Sequence, residues 1–345
     1  MPELKPSDAL DYQREDGWPA VTKKGWQADE FDTAAATVSF TSTQLAVMLE
    51  LVERSKRLDL AVTQITREFF DHPVLHAALA SWVSRFKQGQ GLLVIKGFPV
   101  AELPLDDIWR MYWGIGAHFG IGVSQNLQGQ LQGTVTVQPG VVGERVYGVA
   151  SEAPLHSDRI DILSLLCIHR AKQGGENAFV SSLKVWELIE SERPDLLPIL
   201  LKGFPQVRNG EQPEGDSPVT PYRVPIFGEA QGVRSCYFGG NAMLPSVERS
   251  FSELLDEKDR AALTYLGEVL QRPELRLKQM LEPGEAVFIN NMEMLHSRTA
   301  FIDGDGPGQK RLLLRMWLQG RPCRPMPRDM RVLNNRSGML GIEPR

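Results

Sequence analysis

Three residues of the kinds that bind divalent metals, His156, Asp158 and His296, most constrain how this chain can fold. His156 and Asp158 stand two positions apart, and side chains at positions i and i+2 of a β-strand point to the same face and can reach one ion. His296 lies far along the chain, so a complete site requires a fold that brings distant segments together. Two imidazoles and one carboxylate on one face of an octahedral ion leave the opposite face open, which is typical of non-haem Fe(II) sites.

Turn and strand signals surround the distant histidine. Pro283-Gly284 predicts a turn, residues 286–289 predict a short apolar strand, and Asn290-Asn291 predicts its end. His296 is therefore expected just past a strand end, within reach of the mouth of a pocket.

A second apolar strand, predicted over residues 310–318, alternates two kinds of side chain. One face would carry Arg311, Leu313, Arg315 and Trp317. Inward-facing guanidinium groups are costly in an apolar strand unless anions meet them, and a guanidinium can hold a carboxylate through two parallel hydrogen bonds. For Arg315 an alternative stays open, because it could stack on Trp317 or pair with a carboxylate of the core.

Together these motifs resemble the Fe(II)/2-oxoglutarate-dependent dioxygenases of the taurine dioxygenase (TauD/TfdA) and clavaminate synthase-like group. The matching segments follow the order of that family between about residues 91 and 320. They are Leu155-His156-Ser157-Asp158, Gly174-Gly175-Glu176-Asn177-Ala178-Phe179, Leu295-His296-Ser297-Arg298 and Arg311-Leu312-Leu313-Leu314-Arg315. The resemblance implies an α+β fold, in which a double-stranded β-helix (jelly-roll) core carries N-terminal helices and helical insertions.

The resemblance also implies the composition of the site. The implied Fe(II) ligands are His156, Asp158 and His296, and the implied cosubstrates are 2-oxoglutarate and O2. Arg311 is expected to bind the distal carboxylate of 2-oxoglutarate, with Arg315 nearer to the prime substrate. Asn177 stands where the family often has a threonine that contacts 2-oxoglutarate, and its amide can still donate a hydrogen bond.

The implied activity is oxidation of an unactivated C–H bond of a small molecule, while 2-oxoglutarate and O2 become succinate and CO2. Hydroxylation is the favoured outcome, and desaturation and ring closure stay open as alternatives. Related halogenases lack the carboxylate ligand, so Asp158 argues against halogenation. A metal-dependent, cupin-like hydrolase or isomerase is an alternative that explains the three ligands but leaves Arg311 and Arg315 without a role. A metal-binding pseudoenzyme is a further alternative, and it would form no succinate.

Charge and composition limit the kinds of molecule that this protein is expected to bind. A net charge of −5 does not provide the basic footprint of a nucleic-acid-binding protein. No apolar run is long enough to cross a bilayer, and the first residues lack the apolar stretch of a signal peptide. Three cysteines without metal-type spacing are typical of reduced thiols. We therefore expect a cytoplasmic protein with a small-molecule substrate, anionic or amino-acid-like, and the sequence is compatible with a homo-oligomer.

The chain divides into three zones. Residues 1–40 predict an N-terminal arm, 41–320 a single catalytic jelly-roll domain whose first part (41–120) is helical, and 321–345 a solvated, partly packed C-terminal extension. Helices are predicted from Thr41, with Ser42 or Thr41 as the cap, over 73–87 and over 105–118, and as insertions over 184–201 and 252–271. Strands are predicted over residues 92–95, 134–138, 162–168 and 178–182.

Further polar residues near the motifs could line a substrate pocket. They are Gln125, Asn126, Gln138, Tyr147, Arg159 and Asn290. His169 follows an apolar run and is interpreted as the end of a strand, not as a metal ligand.

Overall fold

The computed structural model describes residues 23–137, 149–240, 255–306, 308–332 and 340–344. The helices of more than one turn are α1 (Ser42–Arg57), α2 (Pro73–Gln88), α3 (Leu105–Phe119), α4 (Ser182–Glu192), α5 (Leu197–Lys202) and α6 (Glu257–Leu270). The first eight strands are β1 (Thr37–Ser39), β2 (Leu92–Lys96), β3 (Gly120–Gly122), β4 (Gln132–Val135), β5 (Ala153–His156), β6 (Ile162–His169), β7 (Gln173–Gly174) and β8 (Asn177–Ser181). The others are β9 (Phe227–Ala230), β10 (Val233–Cys236), β11 (Leu277–Gln279), β12 (Glu285–Asn290), β13 (Met294–Arg298), β14 (Phe301–Ile302) and β15 (Leu312–Gly320). None of the helices in these ranges is long and apolar enough to cross a membrane.

The larger sheet has seven strands in the order β1-β2-β12-β6-β15-β3, with β4 paired to β15. Side chains of β15 alternate between two cores, as residues 310–318 predicted. Leu314 and Met316 pack with helices α1–α3, whereas Leu313 and Trp317 face the space between the sheets. The larger sheet therefore separates a helical core from the core of the β-sandwich.

The smaller sheet has the antiparallel order β11-β8-β13-β5. Val180 and Leu295 pack with helices α4–α6, while their neighbours Phe179 and His296 turn the other way. The layers are thus α1–α3, larger sheet, smaller sheet and α4–α6. This arrangement confirms the predicted α+β jelly roll with N-terminal helices and helical insertions.

Helix ends follow local sequence rules. At α1, the Thr41 hydroxyl accepts from the Gln44 backbone (3.2 Å) and the Gln44 side chain accepts from the Thr41 backbone (2.9 Å), which forms a capping box. The insertion predicted over 184–201 is two helices, since Pro194 follows α4 and disfavours helical backbone in the residue before it. The insertion predicted over 252–271 corresponds to α6, which spans Glu257–Leu270. Residues 252–254 of the predicted range lie outside the described residues.

The two outer zones are tied to the body where they are described. Within the predicted arm, β1 joins the larger sheet, and the Trp26 indole donates to the Gln90 carbonyl at 3.0 Å. In the C-terminal zone, Arg324 is fully buried and Met330 and Ile342 are buried. The extension is therefore packed more deeply than its many arginines predicted, because Arg324 finds oxygen partners inside the protein. The three-zone division itself stays a prediction.

Candidate metal centre and cavity

Two histidines face each other across neighbouring strands. His156, the last residue of β5, pairs directly with His296 of β13, and their ring centroids lie 4.3 Å apart. His296 lies inside a strand, so the expectation that it follows a strand end is wrong; the chain re-enters a strand at Met294. Nδ1 of His156 is 2.7 Å from the Pro154 carbonyl. Because a carbonyl only accepts, Nδ1 donates this hydrogen bond, and Nε2 is the ring nitrogen that can face a metal.

Asp158 lies beyond the end of β5, so strand alternation does not place its carboxylate, contrary to the sequence argument. Its backbone N–H donates to Oδ1 of Asn291 (3.0 Å), and Nδ2 of Asn291 donates to the Asp158 and Ile160 carbonyls. The Trp317 indole donates to Oδ2 of Asp158 at 3.1 Å. The other carboxylate oxygen, Oδ1, is 3.8 Å from Nε2 of His156.

The structure brings His156, Asp158 and His296 together, with one possible ligand atom from each within 4.8 Å of the others. Burial, and then the neighbouring His156, lower the pKa of His296 to about 3, so its ring is neutral near pH 7. Burial alone would raise the pKa of Asp158, but electrostatic interactions with the imidazoles and with Arg315 lower it overall. Neutral imidazole and ionised carboxylate are the forms that bind metals.

A cavity of about 290 Å³ opens beside these three residues. Its walls also include the predicted residues Arg311, Arg315 and Asn177. The structure therefore gathers the predicted metal ligands, Arg311, Arg315 and Asn177 around one space, whereas His169 at the end of β6 lies outside it. Their roles stay predictions.

Arg311 stands immediately before β15 and is 4% exposed. Its backbone N–H donates to Asp303 at 2.8 Å and its guanidinium lies over the Phe301 ring at 5.3 Å. Nη1 is buried without a hydrogen-bond partner among the described residues. Burial, and then the nearby Arg298, lower the pKa of Arg311 to about 10. A buried cation with an unused donor is costly unless a ligand supplies an acceptor.

Arg315 is held differently, inside β15. Its Nε donates to Oε1 of Gln125 at 2.6 Å, and its guanidinium lies 5.4 Å from the Trp317 ring. The stacking alternative is therefore present in the structure, alongside a position in the cavity wall. The guanidinium is therefore oriented by Gln125, in the segment between β3 and β4, and by Trp317 of its own strand.

The list of candidate pocket residues was partly right. Gln125 and Arg159 line the cavity, but Asn126 and Asn290 are not among its lining residues. Asn290 is fully buried against Arg324 instead. Gln138 and Tyr147 lie outside the described residues.

Several residues of the site were missed in the sequence. Arg298, two positions after His296, lines the cavity and donates to the Val149 and Ser151 carbonyls. Tyr237 and Glu211 also line the cavity, and the Tyr237 hydroxyl accepts from Arg159 at 2.9 Å. Asn291 was noted only as the end of a strand. An asparagine directly after a buried strand is a weak signal for a side chain that hydrogen-bonds to backbone groups. No local sequence pattern identifies Tyr237 or Glu211 as site residues.

The donor set fits a divalent transition metal. Two imidazoles and one carboxylate from the protein leave room for further ligands on the cavity side, as in non-haem Fe(II) sites. Arg311 offers a guanidinium to an anion in the same cavity. The arrangement suits a metal that binds a small carboxylate cosubstrate.

Comparisons with known proteins agree with this arrangement. The model of the taurine catabolism dioxygenase TauD, TfdA family matches residues 56–317. FR-33289 synthase of Streptomyces rubellomurinus is 28% identical over 323 residues, which cover 90% of this chain and 94% of that protein. Among solved structures, asparagine oxygenase aligns with a TM-score of 0.62 at 16% identity, covering 90% of this chain and 99% of that one. The non-heme iron oxygenase OrfP, solved with Fe, succinate and (3S)-hydroxy-L-Arg, aligns with a TM-score of 0.60 at 12% identity, covering 82% and 94%.

Proposed function

The chain belongs to the TauD/TfdA dioxygenase family, and we propose that His156, Asp158 and His296 hold its Fe(II) while Arg311 holds 2-oxoglutarate. One observation carries the proposal. Three metal-ligand side chains with atoms within 4.8 Å of one another share a cavity with a buried arginine whose Nη1 lacks a partner among the described residues. The family match confirms the enzyme class, a dioxygenase. It gives no support to the hydrolase, isomerase or pseudoenzyme alternatives.

When bound, Fe(II) with 2-oxoglutarate and O2 supplies the oxidation of an unactivated C–H bond, with succinate and CO2 as the other products. The protein's part is to bind and orient. His156 and His296 present imidazoles from paired strands, that of His296 neutral, and Asp158 presents an ionised carboxylate. Arg311 would pair with the distal carboxylate of 2-oxoglutarate, and Asn177, at the start of β8 in the same wall, would add a hydrogen bond.

The substrate is a small molecule, and we propose that it is anionic or amino-acid-like. The cavity wall carries four arginines, Arg159, Arg298, Arg311 and Arg315, against the carboxylates of Asp158 and Glu211. With Asp158 assigned to the metal and Arg311 to the cosubstrate, the rest of the wall is predominantly cationic. Structures of asparagine oxygenase and OrfP contain 3-hydroxyasparagine and 3-hydroxyarginine, which are amino acids of a size compatible with this cavity.

The proposal predicts that His156→Ala and His296→Ala each lose metal binding and turnover together. Two remaining protein ligands hold a labile divalent ion poorly, so the loss should exceed the roughly 10–100-fold typical of changes around the ligands. Titration with Co(II), a surrogate that needs no exclusion of O2, measures affinity. Succinate formation from 2-oxoglutarate with Fe(II) measures turnover.

His76→Ala is the matched control. His76 is an exposed histidine that also has a carboxylate neighbour, Asp71, at 3.1 Å, but it lies on α2 away from the cavity. It should bind Co(II) as the wild-type protein does. Near wild-type Co(II) affinity in both His156→Ala and His296→Ala would contradict the proposed ligand set.

A further inference from the structure

The side chain of Asp158 is not positioned by strand pairing, unlike those of His156 and His296. His156 and His296 are strand residues in direct register, so backbone pairing fixes where their side chains start. The described strand β5 ends at His156, and Asp158 follows in a connecting segment. A carboxylate on such a segment can rotate, and it can present one oxygen or both.

The backbone of Asp158 is held by one side chain from another part of the molecule. Asn291 lies between β12 and β13, is fully buried, and meets the Asp158 backbone with both ends of its amide. It also donates to the Ile160 carbonyl at 2.7 Å. Because β13 carries His296, this amide ties the segment of one ligand to the turn that leads into the strand of another.

The carboxylate of Asp158 is held by a second side chain. Trp317 projects from β15 of the larger sheet and is 7% exposed, and its indole N–H is 3.1 Å from Oδ2. The indole has one donor and no acceptor, so it engages one carboxylate oxygen and leaves Oδ1 towards His156. The indole thus distinguishes the two oxygens.

We propose that Trp317 and Asn291 are positioning residues that hold Asp158 so that Oδ1 alone faces the metal position. Asn291 sets the backbone and Trp317 sets the rotation of the carboxylate. The inference rests on the proposed function, since it takes Asp158 as a metal ligand. On this proposal, Trp317 and Asn291 do not bind the metal themselves. They keep Asp158 to one ligand oxygen, so that the other coordination positions stay available to small molecules.

Trp317→Phe tests the carboxylate contact, because phenylalanine keeps an aromatic ring beside Arg315 but removes the donor. Asn291→Asp tests the backbone clasp, since it keeps an acceptor for the Asp158 N–H and removes both donated hydrogen bonds. For each variant, Co(II) affinity and the visible absorption of bound Co(II), which reports coordination geometry, are measured together with urea unfolding. We expect affinity to fall about 10–100-fold and the spectrum to change.

Two matched controls separate positioning from general stability. Trp113→Phe removes another buried indole donor, which bonds the Ile65 carbonyl at 3.2 Å. Gln90→Ala removes another side-chain amide that ties backbone, here the Asp32 N–H and the Glu30 carbonyl. Both controls should keep the wild-type Co(II) affinity and spectrum, whatever their stability.

The outcomes separate this inference from the function on which it rests. A wild-type protein that takes up no Co(II) would contradict the proposed metal site. A wild type that binds Co(II), with a folded Trp317→Phe or Asn291→Asp variant of unchanged affinity and spectrum, would overturn the positioning roles alone. Should one variant fail to fold, the other still provides the decisive measurement.

Discussion

Two buried arginines, Arg311 and Arg324, meet very different surroundings. Arg324 is fully buried and donates to Glu293 (2.9 Å), Ser235 (3.1 Å) and the Arg234 carbonyl (2.7 Å). Arg311 is also buried, yet its Nη1 has no partner in the described parts of the chain. A buried guanidinium whose N–H groups donate to protein acceptors stabilises the fold. A buried guanidinium with an N–H group that has no protein acceptor is suited to binding a ligand.

The network around Arg324 also joins both ends of the described chain. Glu293, between β12 and β13, accepts from Arg324 of the C-terminal zone and from Lys23 of the N-terminal arm at 2.9 Å. Burial alone would raise the pKa of Glu293, but the two cations lower it overall. Since Glu293 is three residues from His296, the network supports the segment behind the candidate metal centre.

The largest effect on stability is expected from Arg324→Met. Removing one partner of a buried ion pair leaves a charge poorly compensated and costs about 3–5 kcal/mol, and Lys23, which remains beside Glu293, favours the lower end. The free energy of unfolding in urea measures the loss. Arg311→Met should show little loss, because it removes a buried charge without stranding a protein partner. Equal losses in the two variants would remove the contrast between the two arginines.

Arg311→Met should instead weaken 2-oxoglutarate binding by about 2–5 kcal/mol, which is the cost of breaking a buried, hydrogen-bonded charge pair. Calorimetric titration of the Co(II)-loaded protein measures it, and Co(II) affinity should be unchanged. Arg170→Met is the control, because Arg170 is an exposed arginine that already has a protein partner, Glu282. An unchanged 2-oxoglutarate affinity in Arg311→Met, with a large loss in Arg315→Met, would reverse the assignment.

Arg315→Met extends the comparison to a second arginine of the cavity wall, which lies inside β15. Four residues further along, Arg315 is displaced from Arg311 by about 13 Å, too far to share one carboxylate of a small cosubstrate unless its side chain folds back. We expect 2-oxoglutarate affinity to persist. The binding of an anionic substrate, read from its stimulation of succinate formation, should weaken by about 1.5–3 kcal/mol, which is typical of a lost hydrogen bond to a charged group. A panel of small acids and amino acids is screened with both proteins. Collapse of 2-oxoglutarate affinity would place Arg315 in the cosubstrate site, and Arg315→Lys tests whether charge alone suffices.

The smallest effect on stability is expected at an ion pair near the surface, between Arg272 and Glu192. Arg272 holds Glu192 through two hydrogen bonds (2.8 and 2.6 Å), and these, with a further bond from Tyr265, lower the pKa of Glu192 to about 2. Solvent screens such pairs, so Glu192→Gln should cost at most about 1 kcal/mol at pH 7. Because the folded-state pKa is lowered, the contribution is present above about pH 4.5 and disappears as the pH falls through 2. A difference between variant and wild type that survives at pH 2 would show that charge is not its source.

Much of the fold was predictable because it depends on short periods and local chemistry. The cap of α1, the helix over 73–87 and the alternating strand predicted over 310–318 are all local patterns, and each occurs in the structure, with the strand shifted to Leu312–Gly320. Pro194, which separates α4 from α5, is a local signal that was overlooked. Element boundaries were less predictable, since His296 belongs to a strand and Asp158 does not.

The sequence by itself determined which residue types are available to the site and which face of β15 carries Arg315 and Trp317, whereas Asp158 and Arg311 lie just outside their strands. Only the tertiary structure decided how they are held. Asn291 and Arg324 look like many other polar residues in a sequence, and their burial and partners depend on segments far away along the chain. The physical reason is that alternation and capping act over a few residues, whereas satisfying a buried polar group requires a partner that only the packed fold can bring near.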